Sequence, residues 1–362
     1  MCAESVSVLM PVGRVDEFVA PAIQSILSQL SVDVELIVVG PAQSPTHSTA
    51  HSTSQTAPSP SHSFNALNEL LNAQFANDSR IRLIQRNSPG IVAALNTALQ
   101  HASCDYIARM DADDIAEPAR FVQQLAVSQQ YDHQCLVSGC VSIFSSQHEV
   151  LSGNQHYQRW LNEQRSPDAI RKACFIESPL PHPTWFAHKS VWKRIGAYQQ
   201  GDFPEDYDMV LRAWLLGIPM AKPESSSLHW REHETRLTRT DPRYRREAFI
   251  HLKAAALADV RSGLGVQEGR PIWIAGTGRN ARYWHDALES NNARVVGFID
   301  LDGPNAKQQK RHKPVMSYQH YIENRGTDLL VTAITAPDAR EKLKLWCDEQ
   351  ALCIGKDVVL GG

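Results

Sequence analysis

The chain has 362 residues, 43% hydrophobic and 21% charged, which at roughly 100 to 200 residues per domain fits a globular protein of two domains and excludes a minimal binding module, a fibre or global disorder. Lys and Arg number 36 against 39 Asp and Glu, a net charge of −3, so no overall basic field exists to hold nucleic acid, which is excluded as a partner.

Short apolar runs alternate with amphipathic ones over the first hundred and forty or so residues, the pattern of a parallel sheet covered by helices, so the fold class is α/β. Val6 to Val12 and Val34 to Val39 read as buried strands, and Phe18, Ala22, Ile23, Ile26, Leu27 and Leu30 form one helical stripe between them. Residues 43–63 are almost wholly Ser, Thr, Pro, His, Gln and Ala, a composition that cannot bury enough apolar area to order itself; a mobile loop is expected, with His47, His51 and His62 as solvated bystanders. A helix over Phe64 to Phe75, a strand Ile81 to Gln85, a helix from Gly90 to His101 and a strand Tyr106 to Asp111 come next. Ser166-Pro167-Asp168 opens another helix, Glu205 to Leu216 forms one with Gly217 as its stop, and a long helix is expected over Pro242 to Val260, ending in Ser262-Gly263-Leu264-Gly265. The strand and helix alternation restarts at Arg270, giving a second, smaller α/β domain.

Seven cysteines without C-x-x-C spacing suggest reduced thiols rather than a disulfide framework or a zinc site. No run approaches the roughly 18 apolar residues of a membrane span and no signal-peptide pattern opens the chain, so a cytoplasmic location is expected.

Asp111-Ala112-Asp113-Asp114 directly follows an apolar strand, so three carboxylates are delivered to the sheet edge where open α/β sheets bind ligands. Their mutual repulsion is relieved by a cation, and hard oxygen ligands suit Mg²⁺ or Mn²⁺. The alternative is a solvated turn whose aspartates cap a helix.

The surrounding motifs are Val6-Ser7-Val8-Leu9-Met10-Pro11-Val12, Ala94-Leu95-Asn96, Ala108-Arg109-Met110 before the acids, His182-Pro183-Thr184, and Glu205-Asp206-Tyr207-Asp208. In this order, over about residues 5 to 240, the chain resembles the family 2 glycosyltransferases of the GT-A fold. The resemblance implies a nucleotide-sugar donor bound at Pro11, Val12, Asp111 and Asp113. It implies Mn²⁺ or Mg²⁺ on Asp113 and Asp111, with His233 as a further ligand and Arg231 as a diphosphate contact. Asp206 becomes the catalytic base, with Glu205 beside it, and His182 falls near the acceptor pocket. The implied reaction is inverting transfer to a hydroxyl of a glycan or lipid-linked glycan, with peripheral attachment at the inner face of the membrane left open. Two departures stand out: the usual base-reading acids after the second strand are replaced by Gly40-Pro41, and Gly13-Arg14 follows Pro-Val where an aromatic-Asn pair is common. Asp16 and Glu17 are candidates to compensate.

Residues 1–241 are thus expected as the GT-A domain, 242–268 as a linker helix and 269–362 as a Rossmann-like domain similar to those appended to bacterial sugar transferases. The last opens on Gly276-Thr277-Gly278-Arg279-Asn280-Ala281 after a strand, with Asp300 closing the next, the spacing of a nucleotide-binding turn. Two rival readings stand beside the transferase: a catalytically degenerate sugar-nucleotide-binding or assembly module, and an oxidoreductase that would bind nicotinamide.

Overall fold

Strands β1 (Ser5–Pro11) and β2 (Asp33–Gly40) pair in parallel, and Val6, Val8, Leu9, Met10, Leu36, Ile37, Val38 and Val39 are all buried, as parallel strands covered on both faces require. The computed structural model describes residues 4–42, 63–146, 149–234, 236–301 and 309–362. The loop expected at 43–63, with His47, His51 and His62, lies outside the described residues except for Ser63, which caps the helix Phe64–Phe75 through a hydrogen bond from the Ala66 N–H.

The chain forms two compact units that interleave in sequence: Met1–Ser166, Leu180–Gln200 and Ile218–Arg236 make the first, and Pro167–Pro179, Gly201–Gly217 and Leu237–Gly362 the second. In the first unit, β3 (Ile81–Gln85), β2, β1 and β4 (Tyr106–Arg109) run parallel, so their carboxyl ends share one edge. Beyond β4 the sheet turns antiparallel through β8 (Phe186–His188) and continues to β6 (Leu136–Val137) and β9 (Met220–Ala221). A smaller sheet of β5 (Ile115–Ala116), β10 (Ser226–Arg231) and β7 (Cys140–Phe144) brings the end of β10 beside the acidic turn. β4 ends at Arg109, two residues before the expected limit, which leaves the acids on a turn.

In the second unit, β11 (Ile272–Ala275), β12 (Val295–Asp300), β14 (Lys313–Ser317), β15 (Leu329–Thr332) and β16 (Val358–Val359) are parallel, with β13 (Gln309–Lys310) antiparallel at the edge. The order β14-β12-β11-β15-β16 is the doubly wound arrangement, with its switch point beside β11. The helix Arg279–Ser290 covers this sheet with Ala281, Trp284, Ala287 and Leu288. The single helix expected over 242–260 is broken. Asp241 caps a short turn at Pro242–Tyr244, Arg245 is extended, and the helix proper is Arg246–Ala258. The segment expected as a linker is packed within this unit: Ile250, Lys253, Leu257, Leu264 and Val266 are buried. Lys253 Nζ donates to the carbonyls of Ile176 at 3.0 Å and Gly362 at 3.1 Å, and burial pulls its pKa down to about 8. No helix among the described residues is long and apolar enough to cross a membrane.

Candidate active site

The three acids following β4 converge: ligand oxygens of Asp111, Asp113 and Asp114 all lie within 4.8 Å of one another. Asp111 and Asp113 are 31% and 34% exposed, whereas Asp114 is buried at 1%. Each carboxylate is held by a protein donor. Arg109 Nη2 lies 2.5 Å from Asp111 Oδ1, His233 Nε2 lies 2.8 Å from Asp113 Oδ2, and the Arg231 backbone N–H donates to Asp114 Oδ1 at 2.7 Å. Burial works to raise the Asp113 carboxyl, but the hydrogen bond and charge of His233, aided by Arg236, outweigh it and hold it below the ordinary value. Burial, with the charges of Asp113 and Asp111, pushes Asp114 well above it. A cluster of hard oxygen donors gathered this closely has the chemistry to hold a divalent cation. Asp111 and Asp113 are the accessible members that could hold such an ion, and His233 sits against Asp113 but outside the tight triad.

Arg231 is placed differently from expectation. Its guanidinium is sandwiched between the rings of Phe18 at 4.1 Å and Phe144 at 4.5 Å, and Nε donates to the Asp113 carbonyl at 2.7 Å. It braces the acidic turn from within the fold rather than reaching out to a diphosphate.

Beneath the turn lies a polar layer whose arrangement sequence reasoning missed. Arg109, at the end of β4, is only 4% exposed. Burial opposes its charge, yet Asp111 above all, with Tyr198 and Asp114, holds it firmly protonated. Arg120 Nη2 donates to the Arg109 carbonyl at 2.7 Å, and burial together with the nearby Arg109 charge lowers the Arg120 pKa to about 9. Asn96 clamps Tyr198 on both sides: its amide donates to the Tyr198 carbonyl and accepts from the Tyr198 N–H, each at 2.9 Å. The Tyr198 hydroxyl shares a 2.8 Å hydrogen bond with His182 Nε2. Three motifs recognised separately in the sequence, those of Asn96, Arg109 and His182, therefore meet through Tyr198, a residue with no motif to mark it.

Pro11 and Val12 end β1 at the same sheet edge; both are buried, and the Val12 N–H bonds the Val39 carbonyl. At the end of β2, a Cβ added to Gly40 would sit 2.9 Å from both Leu67 and Phe64. The place of the missing acid is thus filled by the helix Phe64–Phe75. Asp16 accepts from the Phe18 N–H at 3.1 Å, and burial raises its pKa, with a contribution from the charge of Asp113 that places it in the same electrostatic neighbourhood. Glu17 adds its own charge to that rise.

In the second unit the helix Glu205–Leu215 begins with the acid pair. The two differ in environment. Glu205 is 2% exposed and accepts from the Tyr244 hydroxyl through both carboxylate oxygens at 2.9 and 3.0 Å, with Arg243 at 3.5 Å. Asp206 is half-buried, and its Oδ1 accepts from the Tyr207 N–H at the positive end of the helix. Asp206 is the more accessible of the two carboxylates, and Glu205 is fixed by its partners. At the other candidate turn, Gly276 adopts a φ of 105° that a side chain would strain, and Gly278 precedes the helix Arg279–Ser290 with open space around its Cα. Asp300 is already engaged at both oxygens, by the Thr277 hydroxyl and by the Leu301 N–H.

The family model for glycosyl transferase family 2 matches residues 62–195, a span that holds the acidic turn, Asn96 and His182. EpsE of Bacillus subtilis strain 168 is 33% identical over 217 residues, covering 59% of this chain and 68% of that protein. The O-antigen biosynthesis glycosyltransferase WbnJ of Escherichia coli is 27% identical over 211 residues, 58% of this chain and 71% of its own. Of three other curated relatives, including the bifunctional glycosyltransferase pgtA of Dictyostelium discoideum, the chain spans only 26%, 47% and 46% of the length. Among solved structures, S. aureus TarS residues 1–349 in complex with UDP-GlcNAc superposes with a TM-score of 0.50 at 12% identity, covering 80% of each chain, a likeness of fold. With its α/β sheet of GT-A type and its relationship to EpsE, the chain belongs to glycosyltransferase family 2.

Proposed function

We propose that this protein is a metal-dependent glycosyltransferase that moves a sugar, with inversion, from a nucleoside-diphosphate donor to a hydroxyl of a surface or secreted glycan. The observation that carries the reading is the convergence of Asp111, Asp113 and Asp114 at the carboxyl edge of a parallel sheet. In this reading Asp113 and Asp111 hold Mn²⁺ or Mg²⁺, with His233 orienting Asp113 or joining the ligands, and Pro11 and Val12 border the donor. The cation would offset the charge that develops on the departing diphosphate. Asp206 takes the proton of the attacking hydroxyl, because a neutral sugar hydroxyl is a poor nucleophile without a base. Glu205, fixed by Tyr244 and Arg243, holds the first turn of that helix in place. That WbnJ is named for O-antigen biosynthesis and that TarS was solved with UDP-GlcNAc support a nucleotide-sugar donor and a polysaccharide product. The cytoplasmic face of a membrane, where lipid-linked acceptors are built, is the location this reading favours.

The second unit is proposed to carry a Rossmann-like nucleotide or sugar-nucleotide site at Gly276, Gly278 and Asp300, in which a ligand hydroxyl replaces Thr277 on Asp300. A rival reading, a sugar-nucleotide-binding module without turnover, draws on the closure of the base-reading position at Gly40 by Phe64 and Leu67. One experiment separates them. A panel of nucleotide-sugars is screened for Mn²⁺-dependent thermal stabilisation, where saturation at about 100 times the dissociation constant adds about 2.7 kcal/mol, and every hit is then assayed for donor hydrolysis. Stabilisation with hydrolysis, both lost in Asp113→Ala, supports the transferase; stabilisation without hydrolysis or transfer on any acceptor supports the module.

A further inference from the structure

Arg109 is a buried guanidinium beside the candidate site, 4% exposed, and the transferase chemistry leaves it without a task. A guanidinium that is 4% exposed must be paired to be tolerated, and apolar replacements of buried ion pairs are often neutral or stabilising, so stability alone does not account for it. Its pairing is also incomplete. Nη2 meets Asp111 at 2.5 Å, but Nε and Nη1 are buried without a hydrogen-bond partner among the described residues. A second guanidinium, Arg120, is packed against its carbonyl, which adds like charge rather than relief. What the cation does have is position: it lies inside the sheet directly behind three carboxylates whose oxygens crowd within 4.8 Å of one another.

We propose that Arg109 is a positioning residue that stands in for the divalent cation, keeping the acidic turn assembled while no metal is bound, so that the metal enters together with the diphosphate instead of residing in the site. This rests on the metal-dependent reading above. A fixed internal cation does two things at once. It draws Asp111 back toward the sheet and offsets the repulsion that would otherwise splay the turn, and it lowers the negative potential available to a bare Mn²⁺ or Mg²⁺. A diphosphate brings oxygens of its own to complete the coordination, which suits a cation commonly held by one or two carboxylates plus phosphate.

The test measures Mn²⁺ binding to the full chain by loss of the free-ion electron paramagnetic resonance signal, with and without inorganic pyrophosphate, for wild type, R109Q, R109K and D113A. Wild type is expected to bind Mn²⁺ weakly alone and more tightly with pyrophosphate. R109Q should bind bare Mn²⁺ about tenfold more tightly than wild type, since a buried charge several ångströms away acts through a low effective dielectric, and should gain less from pyrophosphate. R109K, which restores the charge, should return bare Mn²⁺ affinity to the wild-type range. R109Q should also melt lower than wild type without metal and recover most of the difference at saturating Mn²⁺, because the ion replaces the guanidinium. Unchanged or weaker Mn²⁺ affinity in folded R109Q overturns the proposal, as does an R109Q that fails to fold even with Mn²⁺. If wild type and D113A alike bind no Mn²⁺, the metal-dependent reading itself falls and this proposal with it; normal wild-type binding with an indifferent R109Q removes only the role of Arg109.

Discussion

His182 should make the stability of this protein fall as the medium becomes mildly acidic. Its ring is buried, shares a hydrogen bond with the Tyr198 hydroxyl, and packs against Trp185 with centroids 4.6 Å apart. Burial first, and the charge of Arg109 second, drive its pKa well below the ordinary 6.5. In the folded protein the imidazole therefore stays neutral at pH values where the unfolded chain's histidine takes up a proton. The unfolded state binds more protons below pH 6.5, so the contribution of His182 is complete above that pH and is lost as pH falls beneath it. The slope approaches about 1.4 kcal/mol per pH unit for one proton wherever the unfolded histidine is protonated and the folded one is not. His182→Gln removes the titrating group while keeping a polar side chain of similar reach. Urea unfolding at intervals from pH 5.0 to 7.5 should show the wild type losing about one proton's worth of stability more than the variant across that range. Parallel curves for the two proteins would mean that His182 takes up its proton equally in the folded and unfolded states, and the buried polar layer would need another description.

Three further outcomes are expected. Asp206→Asn should leave donor affinity near wild type and cut turnover by about 10² to 10⁴, the contribution of a positioned base, measured by binding calorimetry beside a transfer assay. Tyr244→Phe removes the hydroxyl that bonds both oxygens of buried Glu205 and should cost about 1.5 to 3 kcal/mol, the range for hydrogen bonds to charged groups, read from denaturant midpoints. Gly40→Asp, which restores an acid at the base-reading position, should destabilise by about 1 to 3 kcal/mol as an overpacked site, because Phe64 and Leu67 already occupy the space; donor affinity that rises without loss of stability would show that the helix Phe64–Phe75 yields to a side chain.

Much of the fold was legible because periodicity reports burial directly. The helix Phe64–Phe75 and the strand Ile81–Gln85 fall where the apolar stripe and the short apolar run placed them. The acids Asp111, Asp113 and Asp114 stand out in the sequence because they directly follow an apolar strand, and the structure brings their oxygens together. What escaped were features fixed by tertiary contact alone. Nothing in the sequence around Tyr198 signals that Asn96 will grip its backbone. Arg109 stands in the motif before the acids, but nothing in the sequence shows that its guanidinium is buried. The break at Arg245 was hidden because Asp241 and Pro242 start a helical turn that the periodicity runs straight through, and only the extended backbone at Arg245 separates that turn from the helix Arg246–Ala258. The resemblance implies Arg231 as a diphosphate contact, whereas the structure stacks its guanidinium between the rings of Phe18 and Phe144.

The interleaving of the two units bears on how the protein is made. The helix that presents Asp206 belongs with residues beyond Leu237 rather than with the sheet that carries the acidic turn. Lys253 ties this unit together by reaching the Ile176 carbonyl 77 positions before it and the Gly362 carbonyl 109 positions after it. Contacts at such separation are slow to form, since loop-closure entropy opposes them until they are made. During synthesis the β1 to β4 sheet can therefore consolidate long before the segments 167–179 and 201–217 find their partners. The acidic turn is completed once Arg231 and His233 have joined it, whereas the unit of the acid-pair helix is complete only when Gly362 has been made, so the two halves of the proposed chemistry would mature at different times. Removing the sheet from β11 onward should accordingly unsettle Asp206 as well as the region deleted.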